Sequence, residues 1–247
     1  LGWGSFGANA YNRASGTGSV ALGFNTIAGS PLDLDSQGTF IQGENIGQFS
    51  AGYASRAIGN ISTATGFRNT ASGSASVAMG NYNYATGDAT IALGKENWAQ
   101  GGNSIAIGYK NHAAGAGSVA LGQENIAWGT TNFTSGHQNV AGGVNAGVGT
   151  ASSATAMGTG TKASGRSSFS ANNNTTASNH ASAALGLFTT ADNFGMLAIG
   201  VNNLVGAGDT TIDADNYGGY YYADGQYTGT PVGVAFVIGN GDVNSTN

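Results

Sequence analysis

Residues 76–131 read SVAMGNYNYATGDA (76–89), TIALGKENWAQGGN (90–103), SIAIGYKNHAAGAG (104–117) and SVALGQENIAWGTT (118–131). The four lines superpose at a period of 14, and self-similarity at a fixed short period is the signature of a solenoid. With the Gly of each line taken as an anchor, the step runs through Gly66, Gly80, Gly94, Gly108, Gly122 and Gly136, and again through Gly158, Asn172, Gly186 and Gly200. Asn9 to Gly23 and Gly52 to Gly66 keep the same step, and Gly43 and Gly239 bring the anchors to fifteen. At about 4.8 Å per coil, fifteen coils predict a rod of roughly 70 Å.

The columns of the repeat predict the coil. Three residues before the anchor stands an apolar side chain (Val77, Ile91, Ile105, Val119), and one before it another (Met79, Leu93, Ile107, Leu121). That alternation is the period of a strand. Where the first of the two is Phe the second is often small (Phe6 with Ala8, Phe49 with Ala51, Phe169 with Ala171). Constant volume is what a close-packed layer demands, so both positions are expected to face inward and share one buried layer. Ala recurs five residues after the anchor (Ala85, Ala99, Ala113, Ala127), and a second Gly seven after it. Each coil therefore reads as two short strands joined by two tight corners. Corner glycines, including Gly80, Gly94, Gly108 and Gly122, supply positive φ or close axial approach. Asn9, Asn172, Asn179 and Asn193 replace corner Gly, and Asn is the residue next most tolerant of the left-handed region. A further Asn three after the anchor (Asn69, Asn83, Asn97, Asn111, Asn125, Asn139) predicts a turn or an amide ladder up the stack.

Composition agrees. Of 247 residues 44 are Gly and only 8% are charged, against a usual charged share of about a quarter. Hydrophobic content of 40% with a net charge of −5 excludes disorder, and two prolines exclude collagen. Seven basic residues scattered through an acidic chain leave no footprint for nucleic acid. No stretch approaches the roughly 20 apolar residues of a membrane span, and LGWGSFGANA (1–10) does not read as a signal peptide, so no membrane insertion is expected. The absence of Cys excludes disulfides and thiolate metal sites. No cofactor and no metal are expected.

The lines SVAMGNYNYATGDA, SIAIGYKNHAAGAG and SVALGQENIAWGTT resemble the head repeat of YadA-like trimeric autotransporter adhesins, whose pattern is approximately SVAIGxxAxAxGxxA. The resemblance covers most of residues 1–207 and returns at VAFVIGNGDVNSTN, residues 234–247. It implies a left-handed parallel β-roll, three parallel chains wound side by side, and a place near the tip of a bacterial surface fibre. The heptad stalk and β-barrel anchor of that family have no counterpart in these residues, so anchoring and self-export are not carried over.

Candidate sites follow from the columns. Four residues after the anchor come Tyr84, Trp98, His112 and Ile126, a row about one strand spacing apart; Trp128 stands nearby. Such a row suits sugar rings or an apolar partner surface, or it is buried against a neighbouring chain. Two after the anchor, Glu96, Lys110 and Glu124 alternate in sign, as a register ladder or a solvated face. Insertions are expected near 29–38 and 144–151, and at 208–231. The last carries Tyr217, Tyr220, Tyr221, Tyr222 and Tyr227 among aspartates, a binding-loop composition or a structural clasp. Residues 232–247 read as a closing coil. Asn60, Asn132, Asn173, Asn174 and Asn244 head Asn-x-Ser/Thr triplets, most of them expected by chance in so Asn-rich a chain.

His112, His137 and His180 fall in three different columns, and no phosphate loop or nucleophile elbow appears, so no catalytic activity is expected. The sequence predicts a non-enzymatic extracellular adhesin head or fibre segment, self-associating as a homotrimer and meeting a surface receptor or glycan. The rival readings are a phage tail-fibre segment and a subunit of a filament that grows end to end. An ice-binding surface comes last among the rivals, because the column six after the anchor (Ser72, Thr86, Gln100, Ala114, Trp128) repeats no Thr.

Overall fold

A computed structural model describes residues 4–29, 46–143 and 151–202 in full and 236–240 as a strand. It is all-β and divides into two compact units, Leu1–Glu124 and Asn125–Asn247. In each unit a coil contributes a first strand, as Val77–Asn81, and a two-residue second strand, as Tyr84–Ala85. Each strand pairs in parallel with its counterpart one coil on: Val77 with Ile91, Gly80 with Gly94, Tyr84 with Trp98. The first unit's second strands run from Arg13–Ala14 to His112–Ala113, and those of the second unit from Ile126–Ala127 to Thr190–Ala191. Among the described residues twelve coils have both strands, and the architecture is a parallel β-solenoid. The strand Phe236–Asn240 pairs with Leu197–Val201.

The coil number is lower than the fifteen anchors. Val20–Phe24 pairs directly with Phe49–Tyr53, so no strand can stand between them and the anchor assigned to Gly43 is withdrawn. Gly43 lies within 30–45, outside the described residues, as do 144–150, 203–235 and 241–247.

The direction of the side chains overturns the expected core. The residue between the two large apolar positions is the one that faces inward: Ala78, Ala92, Ala106 and Ala120 have no solvent exposure, nor have Ala85, Ala99 and Ala113 of the second strand. The large side chains point out, Met79 being 43% and Ile107 37% exposed. After Met196 and Gln48, the largest fully buried side chains are asparagines. The alternation is real, but its phase is opposite to the one expected, because in the regular coils the space between the sheets is filled by methyls, short hydroxyls and amides. Ser or Thr four before the anchor completes the interior, with Ser76 Oγ donating to Gly73 O at 2.6 Å and Thr90 Oγ1 to Gly87 O at 2.7 Å.

The anchor needs glycine for two reasons. Gly94 has φ +112°, and a Cβ there would stand 2.2 Å from Gly108 O of the next coil. The same carbonyl accepts a 2.7 Å hydrogen bond from Asn97 Nδ2. Asn97 Nδ2 also donates to Leu93 O at 2.8 Å and Asn83 Oδ1 at 2.9 Å, while Asn97 Oδ1 accepts from Asn111 N and Nδ2 at 3.0 Å each. Asn69, Asn83, Asn97 and Asn111 form one such buried amide ladder in the first unit. In the second, Asn139 donates to Asn125 Oδ1, and Thr161 takes the next rung through Oγ1. Asn9 (φ 77°) and Asn172 (φ 90°) hold positive-φ anchor positions. Asn179 and Asn193 are not among the positive-φ residues. Their column needs closeness instead: a Cβ on Gly73 would meet Gly87 O at 1.9 Å. Asn132 is likewise interior, its Nδ2 donating to Ala141 O and Ala151 O, which makes its triplet a structural one.

Replacing Asn97 by Ala strands two buried carbonyls and a backbone N–H of the next coil, and is expected to cost about 3 kcal/mol. Asn97→Thr is expected to cost less, since Thr161 fills a rung; urea unfolding midpoints of the two variants check the order.

Candidate functional site

The strand register places Tyr84, Trp98 and His112 side by side on the outside of the second-strand sheet. Each neighbours a fully buried Ala, so alternation turns the ring outward. Tyr84 and Trp98 meet edge to face with centroids 5.5 Å apart, and Trp98 and His112 do so at 5.7 Å. Trp98 is 50% exposed. Beside this row an open groove of about 450 Å³ is lined by Tyr82, Tyr84, Glu96, Trp98 and Lys110. The aromatic row and the charged corner column, separate features in the sequence, are thus two walls of one groove.

The corner residues Arg68, Tyr82, Glu96 and Lys110 all have left-handed backbone, with φ from 53° to 57°. Non-glycine residues hold that conformation because each backbone N–H is used: Glu96 N donates to Asn81 O and Lys110 N to Lys95 O. Glu96 lies 3.5 Å from Lys95 and 3.8 Å from Lys110. Both ammonium groups also sit over the Tyr109 ring, at 5.3 and 5.1 Å. A side-chain hydrogen bond to Tyr109, and then the Glu96 charge, holds the Lys110 ammonium above its ordinary pKa. Burial pushes His112 below its ordinary value, and its Nε2 lies 3.2 Å from Gln100 Oε1.

Trp128 belongs to the second unit, where it is partly exposed. Tyr217, Tyr220, Tyr221, Tyr222 and Tyr227 lie outside the described residues. His137 and His180 are in the second unit, His180 stacked on Phe194. Among the described residues no three His, Asp or Glu side chains come together as a metal cage.

One feature escapes the column reading altogether. Tyr11, Phe24, Tyr53, Phe67 and Tyr82 form a ladder of rings with successive centroids 5.1 to 5.4 Å apart. The central three are stacked within 9° of parallel. Arg68 lies over Phe67 and Tyr82 and donates to the Tyr82 hydroxyl at 2.7 Å. Tyr82 therefore ends the ladder and opens the groove. The signal is one residue after the anchor (Phe24, Tyr53, Phe67), but it emerges only once Gly23 and Gly52 are recognised as neighbours.

The family model for the YadA head domain repeat matches the chain in two copies, over residues 12–28, 71–97 and 99–125. These are under a third of the 247 residues and include Tyr82, Tyr84, Glu96 and Lys110 of the groove's walls, with Trp98 between two matched stretches. No curated protein matches the chain.

A His112 pKa lowered in the folded state means that the folded chain binds fewer protons than the unfolded chain just below the ordinary value of 6.5. Stability is therefore expected to be full above 6.5 and to fall as pH drops from 6.5 toward the folded pKa. Proton NMR of the imidazole checks the pKa, and His112→Gln is expected to flatten the slope in that window.

Proposed function

We propose that this chain, which carries YadA head domain repeats, is a non-enzymatic attachment module on the outside of a bacterium, assembled as a parallel homotrimer. What a fold of this kind offers a partner is long rows of repeated geometry. The observation that carries the reading is the face it leaves uncovered. Because only small groups fit inside, Val77, Ile91, Ile105 and Val119 with Met79, Leu93, Ile107 and Leu121 stand together on the outside of the first-strand sheet. A contiguous apolar row of this kind marks a surface for protein–protein contact. The large-with-small pairing of its two columns then becomes complementarity between chains, and the cyclic symmetry of a trimer buries the face in every copy.

The row of Tyr84, Trp98 and His112 on the other sheet, with the groove beside it, supplies the contact with the attached surface. Three copies turn weak contacts into firm attachment through effective concentration. The segment 208–231, with its five tyrosines, is a second candidate contact.

Light scattering is expected to give a mass near 73 kDa, three times 24.4 kDa, and the pair Ile91→Glu with Ile105→Glu is expected to lower it to that of one chain. A wild-type mass of 24.4 kDa sinks the trimer. Beads coated with the chain are expected to be retained on cultured cell layers, and Tyr84→Ala with Trp98→Ala to lose most of that retention. Unchanged retention removes the groove from the reading.

A further inference from the structure

The chain has seven Lys and Arg among 247 residues and a net charge of −5, yet coiling gathers five of the seven on one ridge of the first unit. Arg13 and Arg56 stand four residues after their anchors, in the register column that continues through Thr70 to Tyr84, Trp98 and His112. Lys95 stands in the column of Phe24, Tyr53 and Phe67. Arg68 and Lys110 occupy the corner between the two columns. The acids described on this ridge are Glu96 and Glu124; Asp88 sits at the other corner, accepting from Ser74 N. The two lysines and Arg68 are exposed at their charged ends, and Lys110 lines the groove.

We propose that this ridge binds an acidic polysaccharide. Its carboxylate or sulfate groups lie on Arg56, Arg68, Lys95 and Lys110, and its rings rest against Tyr84 and Trp98 in the groove. The inference rests on the attachment reading and names the class of ligand attached. Two physical features select a sugar polymer over other anionic chains. First, Phe24, Tyr53 and Phe67 lie within 9° of parallel and spend their faces on one another. What they offer outward is ring edge, which carries partial positive charge and suits the oxygens of an anionic polymer. Nucleic-acid bases need free ring faces, and the ladder keeps few. Second, the rings advance at one coil per step, 5.1 to 5.7 Å between neighbours, and the coils of Arg13, Arg56, Arg68, Lys95 and Lys110 add a cation, so an extended chain of rings meets a ring at every step and a cation at most of them. A compact ligand would use one step; a polymer uses them all, and its many weak contacts add along one molecule.

The test is a titration of the whole chain with polygalacturonate, with dextran as the neutral polymer and single-stranded DNA as the other polyanion. Polygalacturonate is expected to bind, more weakly as salt is raised, and dextran is expected not to. The pair Arg68→Gln with Lys110→Gln removes two charge-assisted contacts and is expected to weaken binding about tenfold or more. Lys162→Gln, in the second unit, is expected to change nothing. Circular dichroism and the melting temperature of each variant separate loss of binding from loss of fold. Polygalacturonate binding no better than dextran overturns the proposal, as does equal weakening by Lys162→Gln or tighter binding of the DNA. Retention on cell layers that persists without polygalacturonate binding removes the polysaccharide and leaves attachment standing; loss of both removes both.

Discussion

The anchor glycines Gly66, Gly80, Gly94, Gly108 and Gly136 have the carbonyl of the next coil's anchor pressed against the place where a Cβ would be, and an asparagine of the coil before also holds that carbonyl. Gly94, Gly108 O and Asn97 Nδ2 are one instance. The contact sets how closely the coils stack and leaves an interior of Ala, Ser, Thr and Asn. From this narrowness the rest follows. The apolar area buried inside one coil is small, so much of the stability falls to hydrogen bonding along the axis, where the interior amides leave few donors or acceptors open. Nearly every bulky side chain described is driven outside, Met196 and Gln48 excepted, and the outside becomes the part of the molecule able to make large contacts.

Much of this was legible in the residues. The period, the two strands, the Gly anchors and the Asn column are all visible in four consecutive lines, because the backbone geometry repeats and each special position demands a special residue. The phase of the core was not legible. Val77 and Met79 flank Ala78, and the usual rule that large apolar groups go inside assigns them to the core. The rule fails here because it presumes a core wide enough to hold them, and width is set by how far apart the two sheets lie, which no column of the sequence states. Gly43 misled for a similar reason: Phe40 three residues before it imitates a strand, and only the pairing of Val20–Phe24 with Phe49–Tyr53 removes it.

The site was half legible. The Tyr84, Trp98 and His112 row could be read because its members stand in one column at one step. The ring ladder could not, since Tyr11 and Tyr82 sit at the corner while Phe24, Tyr53 and Phe67 sit one residue earlier, and an insertion separates two of its rungs. The five cations were hidden in the same way: they occupy three columns that become one ridge only when the corner folds. A solenoid reads as a list of columns, but its surface chemistry is made between columns.

The central claim is that the asparagine column is interior and holds the coils together. The side-chain amide protons of Asn83, Asn97 and Asn111 report on it directly. Hydrogen exchange followed by NMR is expected to show them protected to the same degree as the backbone amides of the neighbouring strands, Ala92 and Ala106 among them. Exchange as fast as that of asparagine on an open surface would contradict the account, because the carbonyls that crowd the anchors would then be held by something other than the ladder.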